Sequence, residues 1–378
     1  MITQSTAHTL NHRVTGRGLW NFHGSVTFSA KPARQAWRAG MHDPHTVHTL
    51  GQPGGLQIDV SPFGARWLSC RVPLRDGTLR EAILGHATPA DHAREPGFFG
   101  AIVGRYANRI GGAAFTLAGQ EHRLVPNEGA NQLHGGPDGF DRRTWRVLAH
   151  EPLQLRLGLH SPDGDQGYPG ALDTEVTYRI DPERCSVSLH FLARTTRTCP
   201  VSLTSHPYFN LDGTEAPVLD HLLQVAAHQV LPVRPDMIPT GELADVEGSA
   251  FDLRGPRRLR DGLGQHEQLR QAGGWDHCYA LDETAAQGER AAAVLTAGDG
   301  RLAMQLFTNY PGLQVCTGNH VQQARGRRGT AFAQHAGIAL EPQFFPDAPN
   351  HPLWRDQGCL VQPAQPLSRW MRLSFMAS

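Results

Sequence analysis

One lysine, Lys31, stands among 378 residues, so arginine carries nearly all of the positive charge. Schiff-base and pyridoxal chemistry need a buried lysine, and a Walker A loop needs one after its glycines; Lys31 lies in an ordinary polar stretch and serves neither. No G-x-G-x-x-G occurs, which removes the dinucleotide fingerprint. The six cysteines (Cys70, Cys185, Cys199, Cys278, Cys316, Cys359) show no C-x-x-C and no paired spacing, so reduced, mostly buried thiols are expected in place of a zinc ribbon or a disulfide frame. Apolar runs fall short of the roughly 18 residues of a membrane span, and the first 20 residues lack the apolar core of a secretory signal. With Lys+Arg 35 against Asp+Glu 35 and a pI near 7.4, the chain has no global field to draw nucleic acid or anionic lipid. A cytoplasmic address, with neither nucleic acid nor membrane as partner, is the expectation.

What the chain has in excess is glycine and proline, 41 and 27, above average usages of roughly 7% and 5%. From about residue 55, short alternating segments are broken by Gly, Pro, Asp and Asn: 56–60, 66–72, 115–117, 153–159, 174–180, 185–193, 301–308 and 369–375. Period-two alternation puts one face of each segment in a core. The clearest helical candidate is 259–272, and no repeat of 20 to 50 residues is present. The expected fold is all-β, a large antiparallel sandwich with few short helices, formed as one domain over 46–378. Residues 1–45 lack sustained periodicity and read as an extension. His42, His45 and His48 within and beside it read as a solvated tail and not as a metal cluster, so no metal site is assigned.

Several stretches concentrate polar residues that a sandwich core does not need. GRYANRI (104–110) pairs Asn108 with Arg109, whose rigid fork of donors suits hydroxyl pairs or a carboxylate. NEGANQLHGG (127–136) presents His134 beside two glycines that admit close backbone approach. LTSHPYFNL (203–211) carries His206 before Pro207, a position biased to extended backbone, where an imidazole can exchange protons near neutral pH. GWDHCY (274–279) sets Asp276 beside Trp275, an aromatic wall and carboxylate hook for a sugar ring, and GLQVCTGN (312–319) carries Gln314. GIALEPQFFPDAPN (337–350) ends an apolar run on Glu341, a carboxylate whose burial would raise its pKa towards that of a useful general base.

Taken in order, with GFD (139–141) and IPTGE (238–242), these segments resemble the aldose 1-epimerase (galactose mutarotase) family from about residue 45 to the C-terminus. The resemblance implies an antiparallel supersandwich with an open cleft, and cofactor-free, metal-free interconversion of the α and β anomers of free aldohexoses. It implies Glu341 as general base, His206 as general acid, His134 as a second active-site histidine, and Asn108, Arg109, Asp276 and Gln314 as ligands of sugar hydroxyls. The partner is then a small monosaccharide, and the protein a monomer or homodimer. Pro207 stands where serine is frequent in the family, and Cys316 where an aromatic is common. Alternatives are a hexose-phosphate epimerase, a glycoside hydrolase using Asp276 and Glu341 as its two carboxylates, and a non-catalytic carbohydrate-binding protein.

Overall fold

The computed structural model describes residues 43–378. Strand alternation decides its layers. In Leu172–Asp181 and Leu302–Thr308 every second side chain is buried, so each strand gives one face to a core and the other to solvent. These strands belong to a nine-stranded antiparallel sheet in the order 146–151, 154–161, 172–181, 186–195, 367–377, 302–308, 293–296, 222–225 and 257–258.

A second, six-stranded sheet runs 208–209, 338–343, 312–316, 276–280, 229–230 and 244–245. Here Ile338–Gln343 is buried along its whole length, because both faces are covered. Ile338, Leu340, Leu313, Val315 and Tyr279 enter the main core together with Val176, Tyr178, Leu189 and Phe191 of the nine-stranded sheet. Phe191 packs its ring 6.5 Å from Tyr310, and Tyr310 lies 5.4 Å from Phe344. The Tyr310 hydroxyl donates to the Leu203 carbonyl at 2.5 Å, which ties the core to the segment that carries His206. The fold is all-β and antiparallel, as expected; among the described residues the helices are at most six residues long.

Three local expectations change. Residues 259–272 do not form one helix but a 3-10 turn, Leu259–Asp261, and a helix, Glu267–Ala272. The break falls at Gly262, where a Cβ would lie 2.1 Å from the Trp275 ring, and at Gly264, whose φ is +73°. Gly262→Ala should accordingly cost about 1–3 kcal/mol by overpacking, read as a lower midpoint in thermal unfolding; an unchanged midpoint would contradict the packing account. The strand expected at 185 starts at Ser186, since Cys185 turns the chain with a φ of 43°. His48 is not in a tail: it opens the strand His48–Gly51, and its ring meets His150 at 4.8 Å. His42 and nearly all of the extension assigned to 1–45 lie outside the described residues. All six cysteines are free thiols, four of them buried. No helix among the described residues is long and apolar enough to cross a membrane.

Candidate active site

Strand register assembles the first half of the site. Glu341 is directly opposite Gln314, which is opposite Cys278, and in the next row Ala339 faces Cys316, which faces Asp276. Residues opposed across an antiparallel pair share a face, so one face of the six-stranded sheet carries a carboxylate, an amide, two thiols and a second carboxylate. Gln314 Nε2 donates to Asp276 Oδ1 at 2.7 Å. Glu341 lies inside its strand and not at its end, because pairing continues to Gln343.

His206 reaches the same face from the side. Its backbone N–H donates to Ala101 O and its carbonyl accepts from Gly100 N–H, at 2.9 and 2.8 Å, with short ladders at Thr204–Ser205 and Tyr208–Phe209 on either side of Pro207. This clamp leaves Nε2 3.3 Å from Glu341 Oε1. Both residues are buried, and Glu341 Oε2 and His206 Nδ1 have no hydrogen-bond partner.

His134 sits at a φ of 51° in its glycine loop. The next residue must be glycine: its φ is +91° and a Cβ there would meet Gly104 O at 1.8 Å. Asn108 N–H donates to His134 Nδ1 at 3.1 Å, so in the neutral ring the proton resides on Nε2. The ring stands 5.4 Å from that of His206, and Phe98 covers both at 4.4 and 5.7 Å.

Arg109 completes the wall. Its Nε and Nη2 donate to the two Glu128 carboxylate oxygens at 2.5 and 2.8 Å, and Nη1 lies 3.7 Å from Asp276 Oδ2. Asn108 turns the chain at a φ of 65° and accepts from Arg109 N–H at 2.8 Å. A cavity opens over Asn108, Arg109, Asp276, Cys278 and Gln314. All seven residues singled out in the sequence therefore meet in one place, although Asn108 and Glu341 are far apart along the chain.

Burial governs the charges. It pushes the Glu341 carboxyl well above the usual carboxylate range, helped by Asp276 and opposed by Arg109. It pulls His206 down to about 4 and His134 well below its ordinary value, where the neighbouring His206 and Arg109 charges add to it. The only group of potential metal ligands among the described residues is His134, His206 and Glu341, with donor atoms within 4.8 Å of one another. The trio does not fit a metal as it stands, because Nδ1 of His134 is engaged and its other nitrogen presents a proton instead of a lone pair.

A family profile described as aldose 1-epimerase matches residues 46–374. The aldose 1-epimerase of Escherichia coli is 37% identical over 334 residues, 88% of this chain and 96% of that one. The galactose mutarotase of Sus scrofa is 39% identical over 305 residues, 80% of this chain and 86% of that one. The chain belongs to the aldose 1-epimerase family. Its fold superimposes with a TM-score of 0.75 on the galactose 1-epimerase of Lactobacillus acidophilus, at 28% identity over 87% of this chain and 94% of that one. The aldose epimerase homologue of C. elegans gives 0.80 at 24% identity over 88% and 99%, a likeness of fold. As a member of the aldose 1-epimerase family the chain is an enzyme of the isomerase class.

Three residues of this candidate site were not singled out from the sequence. Phe98 is an apolar residue with no local mark; Cys278 stood inside GWDHCY and Glu128 inside NEGANQLHGG, where alternation two residues on from Asp276 and an acidic side chain near an arginine-bearing motif were the available signals.

The buried imidazoles also set a pH dependence. His206 and His277 bind protons near pH 4 in the folded chain against 6.5 as the ordinary value, and His92 and His134 are lowered in the same sense. Between those limits the unfolded chain holds more protons, so stability is full above about pH 6.5 and is lost as pH falls towards 4. Glu341 and Asp141, whose pKa values are raised by burial, act oppositely: their contribution is lost as pH rises above the ordinary carboxyl value. The imidazoles outnumber them, so the melting temperature should fall between pH 7 and pH 5 in calorimetry. A rise over that window would contradict the burial of these histidines.

Proposed function

We propose that the protein interconverts the α and β anomers of free aldohexoses such as galactose and glucose, with Glu341 as general base, His206 as general acid and His134 as a donor to the ring-oxygen region. The observation that carries this reading is the buried contact of 3.3 Å between His206 Nε2 and Glu341 Oε1. The two oxygens that exchange protons in a hemiacetal are bonded to the same carbon, C1. An acid and a base whose working atoms lie this close match that pair of oxygens.

The step balances as follows. The carboxylate of Glu341 takes the proton of the C1 hydroxyl, the C1–O5 bond breaks as the carbonyl forms, and the imidazolium of His206 gives its proton to O5. The starting carboxylate–imidazolium pair is one proton transfer, across the 3.3 Å contact, from the neutral form that burial favours, and the step leaves a protonated Glu341 and a neutral His206. Rotation about C1–C2 exposes the other face of the aldehyde, O5 attacks, and both protons return. No net proton, electron or co-reactant is consumed. The partnerless Glu341 Oε2 and the Nε2–H of His134 supply one acceptor and one donor beside the pair. Arg109, Asp276, Gln314 and Asn108 are the groups available to the remaining hydroxyls.

Polarimetry of freshly dissolved α-galactose and α-glucose tests the reading, with aryl alcohol release from an aryl galactoside as a parallel arm. Accelerated decay of optical rotation without aryl alcohol release is expected; release without mutarotation would replace the isomerase by a hydrolase.

A further inference from the structure

Glu128 has a position that the proton-transfer reading leaves unused. Arg109 is the only cation lining the cavity among the described residues, and its guanidinium is largely enclosed. Glu128 takes the whole Nε/Nη2 edge of that guanidinium, while Asp276 faces the remaining Nη1. One positive charge therefore stands against two negative ones, with Glu341 behind them.

The carboxylate is held on a rigid mount. Glu128 N–H donates to Asn131 O and Asn131 N–H returns a bond to Glu128 O, at 3.1 and 2.9 Å, around Gly129 at a φ of +59°. Asn131 Oδ1 accepts from Gly112 N–H at 2.9 Å, which fastens the turn to the segment that follows Arg109. A bidentate carboxylate fixes both the plane and the rotation of a guanidinium. It also uses up the fork that a phosphate would otherwise take, and it leaves an acidic surround that repels a phosphate dianion.

We propose that Glu128 is a positioning and specificity residue of this pocket: it aims Arg109 Nη1 at a neutral sugar hydroxyl and cancels the charge that would admit a phosphorylated sugar. The inference rests on reading the cavity as the sugar site. Two variants separate its parts, with kcat and KM for galactose measured by polarimetry and galactose 6-phosphate used as inhibitor at low and high salt. E128Q removes the charge and keeps the size. Its KM should rise about tenfold with kcat nearly unchanged, as expected for loss of a charge-assisted bond that orients the ground state. Inhibition by galactose 6-phosphate should strengthen at least about tenfold, and the gain should vanish in roughly 1 M salt.

E128D keeps the charge but shortens the reach. It should raise KM while still rejecting the 6-phosphate, so it carries the test should E128Q lose its thermal transition. Unchanged KM and unchanged 6-phosphate inhibition in folded variants would overturn the proposal, as would a fall in kcat at constant KM. A wild-type protein that mutarotates no free aldose would instead overturn the sugar-site reading, whatever the variants do.

Discussion

Glu341→Gln is expected to lower kcat for galactose mutarotation by roughly 10²–10⁴-fold, the usual loss on removing a general base, with sugar binding retained. Glutamine keeps the length and the Nε2-facing polar end but has no basic lone pair for the C1 proton. The substitution should not damage the fold. A carboxyl pushed up by burial is a net liability above the ordinary carboxyl value, and a neutral amide removes it, so the melting temperature at pH 7 should stay level or rise. Loss of activity with gain of stability is the signature of a residue kept for chemistry. Near-wild-type polarimetric rates with every aldose tested would end the assignment of Glu341 as base.

His206→Asn should depress kcat by a similar roughly 10²–10⁴-fold and change KM less, since proton delivery to O5 matters mainly in the transition state. Its reach extends to its partner. With the imidazole gone from 3.3 Å, the Glu341 carboxyl, already pushed up by burial and Asp276, has lost the neighbour that takes its proton and cannot act as base. The double variant should consequently lose little beyond the single ones, measured as kcat by polarimetry at pH 7. Losses that multiply fully would mean that the two residues act in separate steps and that the shared-proton account is wrong.

Arg109 and Glu128 show a different dependence. A guanidinium in a half-apolar wall needs its counter-charge from somewhere, and along the sequence the nearest acidic residues are Glu95 and Glu121; the choice of Glu128, 19 positions on, follows from the pairing of Arg109–Ile110 with Gln132–Leu133. The same applies to the tautomer of His134, which depends on a backbone N–H 26 residues away.

The amino-acid sequence by itself determined the class of the fold and the identity of the polar cast. Alternation in 174–180 and 301–308 specifies half-buried strands because side chains in extended chain point to opposite sides in turn, and glycine and proline mark where those strands must stop. The ordered motifs around Asn108, His134, His206, Asp276, Gln314 and Glu341 stood out because a sandwich core has no use for them. Only the tertiary structure decided who touches whom. Register puts Glu341 opposite Gln314 and Gln314 opposite Cys278, the Trp275 ring packs where a side chain at residue 262 would stand, and Phe98 covers two histidines from a segment with no distinguishing pattern. Local propensity and period act over a few residues, whereas these contacts join residues tens to hundreds of positions apart; burial between sheets, which sets the charge of Glu341 and His206, exists only once those sheets have packed.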